Sequence, residues 1–494
     1  MRHIPKTVRI SLTLLILCAS TLSAADYYVA LKGAGAEDGS SWDNAFAFAQ
    51  IGQVINATME PGDTLYLEGN NYGSETLEIK SSGTETARME LIGVDRGVPG
   101  FPRPTFMGKS RSTNAGANIV LRKGASFWTI KNLQSHRRGW GLKTDGENRR
   151  LIIDSVYTHN TVNGFGFYDC DQLYVVNCKA ERYKRYGIHL AHSCDDVIIR
   201  KCFTDCSGTG DEADPSWWRS ANPVGFYFHT SRGSQYPYNT NILVEDCVTR
   251  NNRQQTPQAG DFEQGDGFMV EFRNRNLTFR RCLSYDNQQG AYDMKGEEQV
   301  FEDCYALRSG NGFKIWNDGT MTNCIAAETR GNTVMLIGKK EDPNHILNAE
   351  HCTFHVGTEG TGAAIWIERG QRGVNQATLK NSLVTRAKSR SEYRKNSIMG
   401  GYSGAGGNVD LLGESEDRSY RYDETADLTN APQYTQFVEP WRPWAEPDTA
   451  SAFDSQQYGK EKGYHSKRTP SPLPVWAELI AKADRERLPR DFSQ

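Results

Sequence analysis

Amines, carboxylates and aromatic rings recur at nearly one interval in the middle of this chain. Glu271, Lys295 and Trp316 are 24 and 21 residues apart, and Met269, Asp293 and Lys314 repeat the same two steps. Lys314 can act as a base only if its pKa falls from about 10.4 toward neutrality, through burial or nearby cations. Lys295 is the cation that can lower it. A base, joined by a positive group that stabilises enolate-like charge, is what β-elimination across a uronic acid requires. Arg273 and Arg308 are further sources of that positive charge. Two other readings use the same residues. Glu271 and Asp293 could form the carboxylate pair of a glycoside hydrolase. Equally, Asp293, Lys295 and Glu271 could be ion pairs worth about 0 to 1 kcal/mol on a non-catalytic glycan-binding surface. His189, His229 and Trp316 complete the set as substrate-binding candidates, since rings cover sugar faces and charges orient acidic groups.

The interval is that of a coil. Seven cysteines, Cys178, Cys202, Cys247, Cys282, Cys304, Cys324 and Cys352, share one local pattern (apolar-x-x-Cys-x-small) and return at intervals of 20 to 45 residues. Ser155 and Ser382 hold the same slot at either end. Fixed-slot recurrence with variable spacing is the mark of a solenoid whose insertions bulge outward. After each slot comes a short alternating run: Gly187-Ile-His-Leu, Gly225-Phe-Tyr-Phe-His, Gly267-Phe-Met-Val-Glu, Ala291-Tyr-Asp-Met-Lys, Gly312-Phe-Lys-Ile-Trp. Period two with aromatic and branched residues on one side predicts a strand with one buried face. The predicted inward set includes Ile188, Leu190, Phe226, Phe228, Phe268, Val270, Tyr292, Met294, Phe313, Ile315, Val334 and Leu336. The chemical residues fall between them, facing out. The fold expected is an all-β, single-stranded parallel β-helix, with neighbouring coils about 4.8 Å apart. Stacked columns project in parallel, whereas a disulfide needs Cβ atoms about 3.8 Å apart. The cysteines are therefore read as buried apolar residues, with Cys170 and Cys194 the best candidates for a real pair.

Residues 1–25 read as a Sec-type secretory signal, with cleavage near Ala24 and Ala25: Arg2, Lys6 and Arg9 precede an apolar run too short to span a membrane. This predicts a secreted or periplasmic monomer without a membrane span. Loss of those three positive charges takes the net charge from -3 to -6, which excludes a basic surface for nucleic acid. Residues 26–60 are predicted to cap the solenoid with a strand and an amphipathic helix from Trp42 to Ile55. The coils occupy 61–392, and 393–494 form an irregular C-terminal cap. Two overlong insertions, Ser207 to Asn222 and Asn251 to Gln264, are predicted to wall a cleft beside the outward face.

Three successive stretches, Gly265-Asp-Gly-Phe, Asn287-Gln-Gln-Gly-Ala-Tyr-Asp and Gly310-Asn-Gly-Phe-Lys, resemble the coils of the family nine polysaccharide lyases, the pectate lyase L type of right-handed β-helix. The resemblance covers residues 150 to 340. It implies cleavage of an acidic polysaccharide with Lys314 as base and calcium (Ca2+) held by Asp266 and Asp293. Two further aspartates of the family pattern fall here on Gln289 and Gly290, so half of the acidic ligands are replaced.

Overall fold

The computed structural model describes residues 24–112, 114–206, 221–230, 238–254, 264–337, 345–356, 360–367, 375–380, 382–386, 398–400 and 420–423. Nearly all of the expected signal segment, most of both long insertions and most of the C-terminal region lie outside these residues. Among the described residues the strands form three parallel sheets, of 14, 12 and 12 strands. From Met89 to Gly400 each coil gives one strand to each sheet. One such coil is Asn274–Arg280, Leu283–Tyr285 and Gly290–Met294; the next is Glu297–Glu302, Tyr305–Leu307 and Asn311–Ile315. The architecture is the expected parallel β-helix.

The alternating runs build the interior as anticipated. Phe268, Tyr292, Phe313 and Val334 are fully buried and stand in register on successive strands. Their rings stack at 4.9 Å (Phe268 on Tyr292) and 4.4 Å (Tyr292 on Phe313). The slot cysteines form a second interior column, every one a buried free thiol, and Cys170 and Cys194 are free as well. Each thiol finds a carbonyl instead: Cys282 Sγ lies 3.3 Å from Val244 O on the preceding coil.

The corners were not legible as a class. The residue before each cysteine slot is left-handed whatever its type: Asn177, Lys201, Asp246, Arg281, Asp303, Asn323 and His351 have φ between 50 and 56°. For a side chain other than glycine this conformation costs roughly 1–2 kcal/mol. It is held because the corner N–H continues the ladder, as in Lys201 N to Glu245 O and Arg281 N to Glu302 O, 3.0 and 2.8 Å.

The ends differ from the sequence-based outline. Strand Asp26–Ala30 pairs in parallel with Thr64–Glu68, so the ladder already includes it. The helix expected from Trp42 to Ile55 is a succession of short turns: Trp42–Asn44 and Phe48–Gln50 are 3-10, Ile51–Gln53 α and Val54–Thr58 π. Phe48, Ile51, Val54 and Ile55 close the core there. At the other end Ile398–Gly400 and Tyr420–Asp423 add parallel strands beyond residue 392.

Candidate functional site

Register, rather than proximity in sequence, assembles the site. On one sheet the pairs Tyr227↔Met269, Met269↔Asp293, Asp293↔Lys314 and Lys314↔Met335 put these residues in one outward column. His189 joins the column through His189↔Tyr227. The neighbouring column holds His229, Glu271, Lys295 and Trp316, because backbone bonds such as Lys295 N to Val270 O and Trp316 N to Met294 O extend the ladder past the strand ends.

Asp293 is the hub. Its Oδ2 lies 3.1 Å from Lys314 Nζ and 3.6 Å from Lys295 Nζ. Its Oδ1 accepts the Trp316 indole N–H at 2.6 Å. Lys295 in turn donates to Glu271 Oε1 at 2.7 Å and sits 5.5 Å from the centre of the Trp316 ring. Asp266 approaches from the preceding coil, fully buried, and its Oδ1 accepts the Gly290 N–H at 2.7 Å. Of the expected residues the structure therefore brings together Lys314, Lys295, Glu271, Asp293, Asp266 and Trp316.

Two expectations are corrected. The Lys314 side chain faces outward but is largely covered, with only 14% of its surface exposed. Its pKa is raised, not lowered. Burial, the largest single influence, pulls the amine down, but the charges of Asp293, Asp266 and Glu271 and the hydrogen bond to Asp293 together outweigh it. Lys295 does not act as the lowering neighbour; it is tied to carboxylates itself. Asp266 is pushed up to about 7, first by burial and then by the charge of Asp293, against the pull of Lys314.

His189 is not at this cluster, whereas His229 stands at its edge, next to Glu271 in the neighbouring column. His189 is enclosed by rings: it stacks on Tyr227 at 5.1 Å and on Trp140 at 6.1 Å, with Tyr168 edge-on at 5.5 Å and Tyr186 at 4.8 Å. Neither ring nitrogen has a hydrogen-bond partner among the described residues. Burial brings its pKa down to about 3, so it is a neutral ring. His229 is also lowered, by burial, against the opposing charge of Glu271. The aromatic enclosure escaped the sequence reading. Its one signal is Gly166 in the outward slot between Lys143 and His189, where a Cβ would meet the Trp140 ring at 2.5 Å.

The pair implied for calcium fits that ion poorly. Calcium takes about six to eight oxygens. Asp293 offers two, and both face N–H donors. Unit charges of like sign about 4 Å apart repel by about 4 kcal/mol at an effective dielectric of 20, so two ammonium groups beside Asp293 oppose a divalent ion. A side chain at Gly290 would put its Cβ 2.9 Å from Asp266 Oδ1 and 3.3 Å from Lys314 Cδ. A side chain at that position would force Asp266 or Lys314 to shift.

Comparison with known proteins agrees on the fold. The family model described as "Right handed beta helix region" matches residues 117–261, which gives the coil its hand. No curated protein matches the chain. Among solved structures, a mannuronic acid specific polysaccharide family 6 lyase from human gut microbiota superposes with a TM-score of 0.51 at 12% identity, covering 82% of this chain and 92% of that one. A pectate lyase gives 0.45 at 13% identity, covering 76% and 79%. The catalytic domain of an α-1,3-glucanase gives 0.47 at 12%, covering 76% and 66%. At these identities the likeness is one of fold, and the two scores under 0.5 carry no argument. No helix among the described residues is long and apolar enough to cross a membrane.

Proposed function

We propose that this protein is an exported polysaccharide lyase that cleaves a uronic acid polymer by β-elimination, with Lys314 as the base. One observation carries the reading: two amines and three carboxylates converge, largely covered, on one outward stretch of a rigid sheet, with Lys314 Nζ 3.1 Å from Asp293. Surface ion pairs do not require burial, and a covered cluster of this kind marks functional sites; the raised Lys314 pKa is the reverse of the lowering a lysine base needs, so only its small neutral fraction acts as the base. The motif resemblance at residues 265–268, 287–293 and 310–314 supports the same role for Lys314, and the fold neighbour named as a mannuronic acid specific lyase is compatible with an acidic substrate.

In the reaction the neutral Lys314 amine takes the C5 proton beside the uronate carboxylate. The electron pair forms the C4–C5 double bond while the C4–O bond breaks, and the departing oxygen takes a proton from water. Because Asp293 and Asp266 hold Lys314 above its ordinary pKa, the neutral fraction of the base, and with it the rate, rises about tenfold per pH unit through the neutral range. Positive charge next to the substrate carboxylate stabilises the enolate-like intermediate.

A second reading has its own observation. Asp266, pushed up to about 7 by burial and the charge of Asp293, is about half protonated at neutral pH and can donate a proton, the acid role that a glycoside hydrolase gives one of its two carboxyls. Glu271, expected as the partner of Asp293 in that reading, is instead bound to Lys295. Incubation with alginate, polygalacturonate and glycosaminoglycans separates the cases. Products absorbing in the ultraviolet as conjugated uronides support elimination. New reducing ends without that absorbance support hydrolysis, and binding without new ends supports a non-catalytic glycan-binding protein.

A further inference from the structure

A divalent ion and an ammonium group can fill the same electrostatic office, and in this site the ammonium already fills it. Lys295 Nζ bridges two carboxylates from successive coils, Glu271 Oε1 at 2.7 Å and Asp293 Oδ2 at 3.6 Å. The amine is held against the Trp316 ring, and that indole occupies the other Asp293 oxygen through its N–H. Only 13% of the Lys295 side chain is exposed. A solvated surface lysine has no such set of partners. At one of the two replaced acidic positions the reason is steric, since Gly290 provides the space that Asp266 and Lys314 occupy.

We propose that Lys295 is the resident cation of this site, and that the site engages a carboxylate-bearing sugar without a metal ion. The lysine comes from the same coil as Asp293, one strand position beyond the outward column, so folding delivers its charge in place. A metal-bound homologue of this arrangement would need an ion from solution, whereas this chain needs only its own register. The inference rests on the proposed acidic substrate for its purpose, but its test does not depend on cleavage.

The test uses terbium(III), whose luminescence is sensitised by a nearby tryptophan, with Trp316 next to Asp293 as the built-in antenna. The full-length protein should give no saturable terbium emission that Trp316→Phe abolishes, the criterion that separates this site from the Asp171, Asp195 and Asp196 cluster elsewhere on the protein. The Lys295→Met variant, with Glu271 released and Asp293 relieved of one of its two ammonium neighbours, should gain saturable emission that calcium displaces and that is lost when Trp316→Phe is added. Lys295→Arg, which restores the charge, should be silent again. Circular dichroism confirms that each variant is folded. Saturable, calcium-displaceable emission from the unmodified protein that Trp316→Phe abolishes would overturn the proposal; so would the absence of Trp316-dependent emission from both the unmodified protein and a folded Lys295→Met. On a uronate polymer that is cleaved, chelator should leave the rate unchanged and Lys295→Met should lower kcat/KM at least tenfold; loss of rate on chelation, restored by calcium, sinks the inference. If no such polymer is cleaved, the lyase reading fails while the terbium result still decides the question of the cation.

Discussion

His189 and Lys314 occupy the same outward column of the same sheet, with Tyr227, Met269 and Asp293 on the strands between them. Both are basic side chains and both are covered. Burial opposes the charged form of each, yet the outcomes are opposite: His189 falls to about 3, whereas Lys314 rises above its ordinary value. The difference lies in company. Around His189 stand Trp140, Tyr168, Tyr186 and Tyr227, which offer ring faces and no formal negative charge, and the nearby His229, His192 and Arg185 push further toward neutrality. Around Lys314 stand Asp293, Asp266 and Glu271. The lesson is that cover alone makes an ionisable group neutral, and cover shared with counter-charges keeps it ionised and positioned.

The largest effect should come from the charged end. Lys314→Ala should lower elimination by about 10²- to 10⁴-fold. The protein should still melt cooperatively, with a loss of roughly 1–3 kcal/mol because Asp293 is left with one partner fewer. Initial rates on the cleaved polymer, together with a thermal melt, check both halves; a rate within tenfold of the unmodified protein removes Lys314 from the chemistry.

A subtler change converts one region into the other. Asp293→Asn removes the nearest negative charge from Lys314, so burial should win and the amine pKa should fall. The rising limb of the pH–rate profile should then move toward acid by about one pH unit or more, even though the maximal rate drops. An unmoved limb would mean that Asp293 does not set the protonation of the lysine.

The smallest effect is at the aromatic end. The His189 ring-proton resonances should not titrate between pH 8 and 5. The sign for stability follows. The unfolded imidazole takes a proton near 6.5 and the folded one only near 3, so the unfolded chain binds more protons across that window and stability is lost as pH falls through it. His189→Phe should narrow the drop in melting temperature between pH 7 and pH 4. A resonance that titrates near 6.5 would show that the rings do not exclude water and would erase the contrast with Lys314.

Much of this molecule is written in local patterns. The inward face was readable because alternation has a period of two and the mate of each residue recurs one coil later: Phe268, Tyr292 and Phe313 are apolar for the same reason at each turn. The columns of the site were readable by the same counting, which placed Asp293 beside Lys314 and Glu271 beside Lys295. Corners carried by Lys201, Arg281 and His351 were not, because a left-handed backbone at these residue types is imposed by the ladder on both sides and has no compositional mark. Nor was the enclosure of His189, which depends on Trp140 reaching across Gly166.

What the amino-acid order determined alone was the winding of the chain, its buried faces and the membership of the charged columns, since all three depend on spacing along the backbone. The direction in which each pKa moves was decided only in three dimensions. Burial and Coulomb attraction act in opposite senses on Lys314, and which prevails depends on distances of a few ångströms to Asp293 and Asp266. No spacing in a sequence encodes those distances.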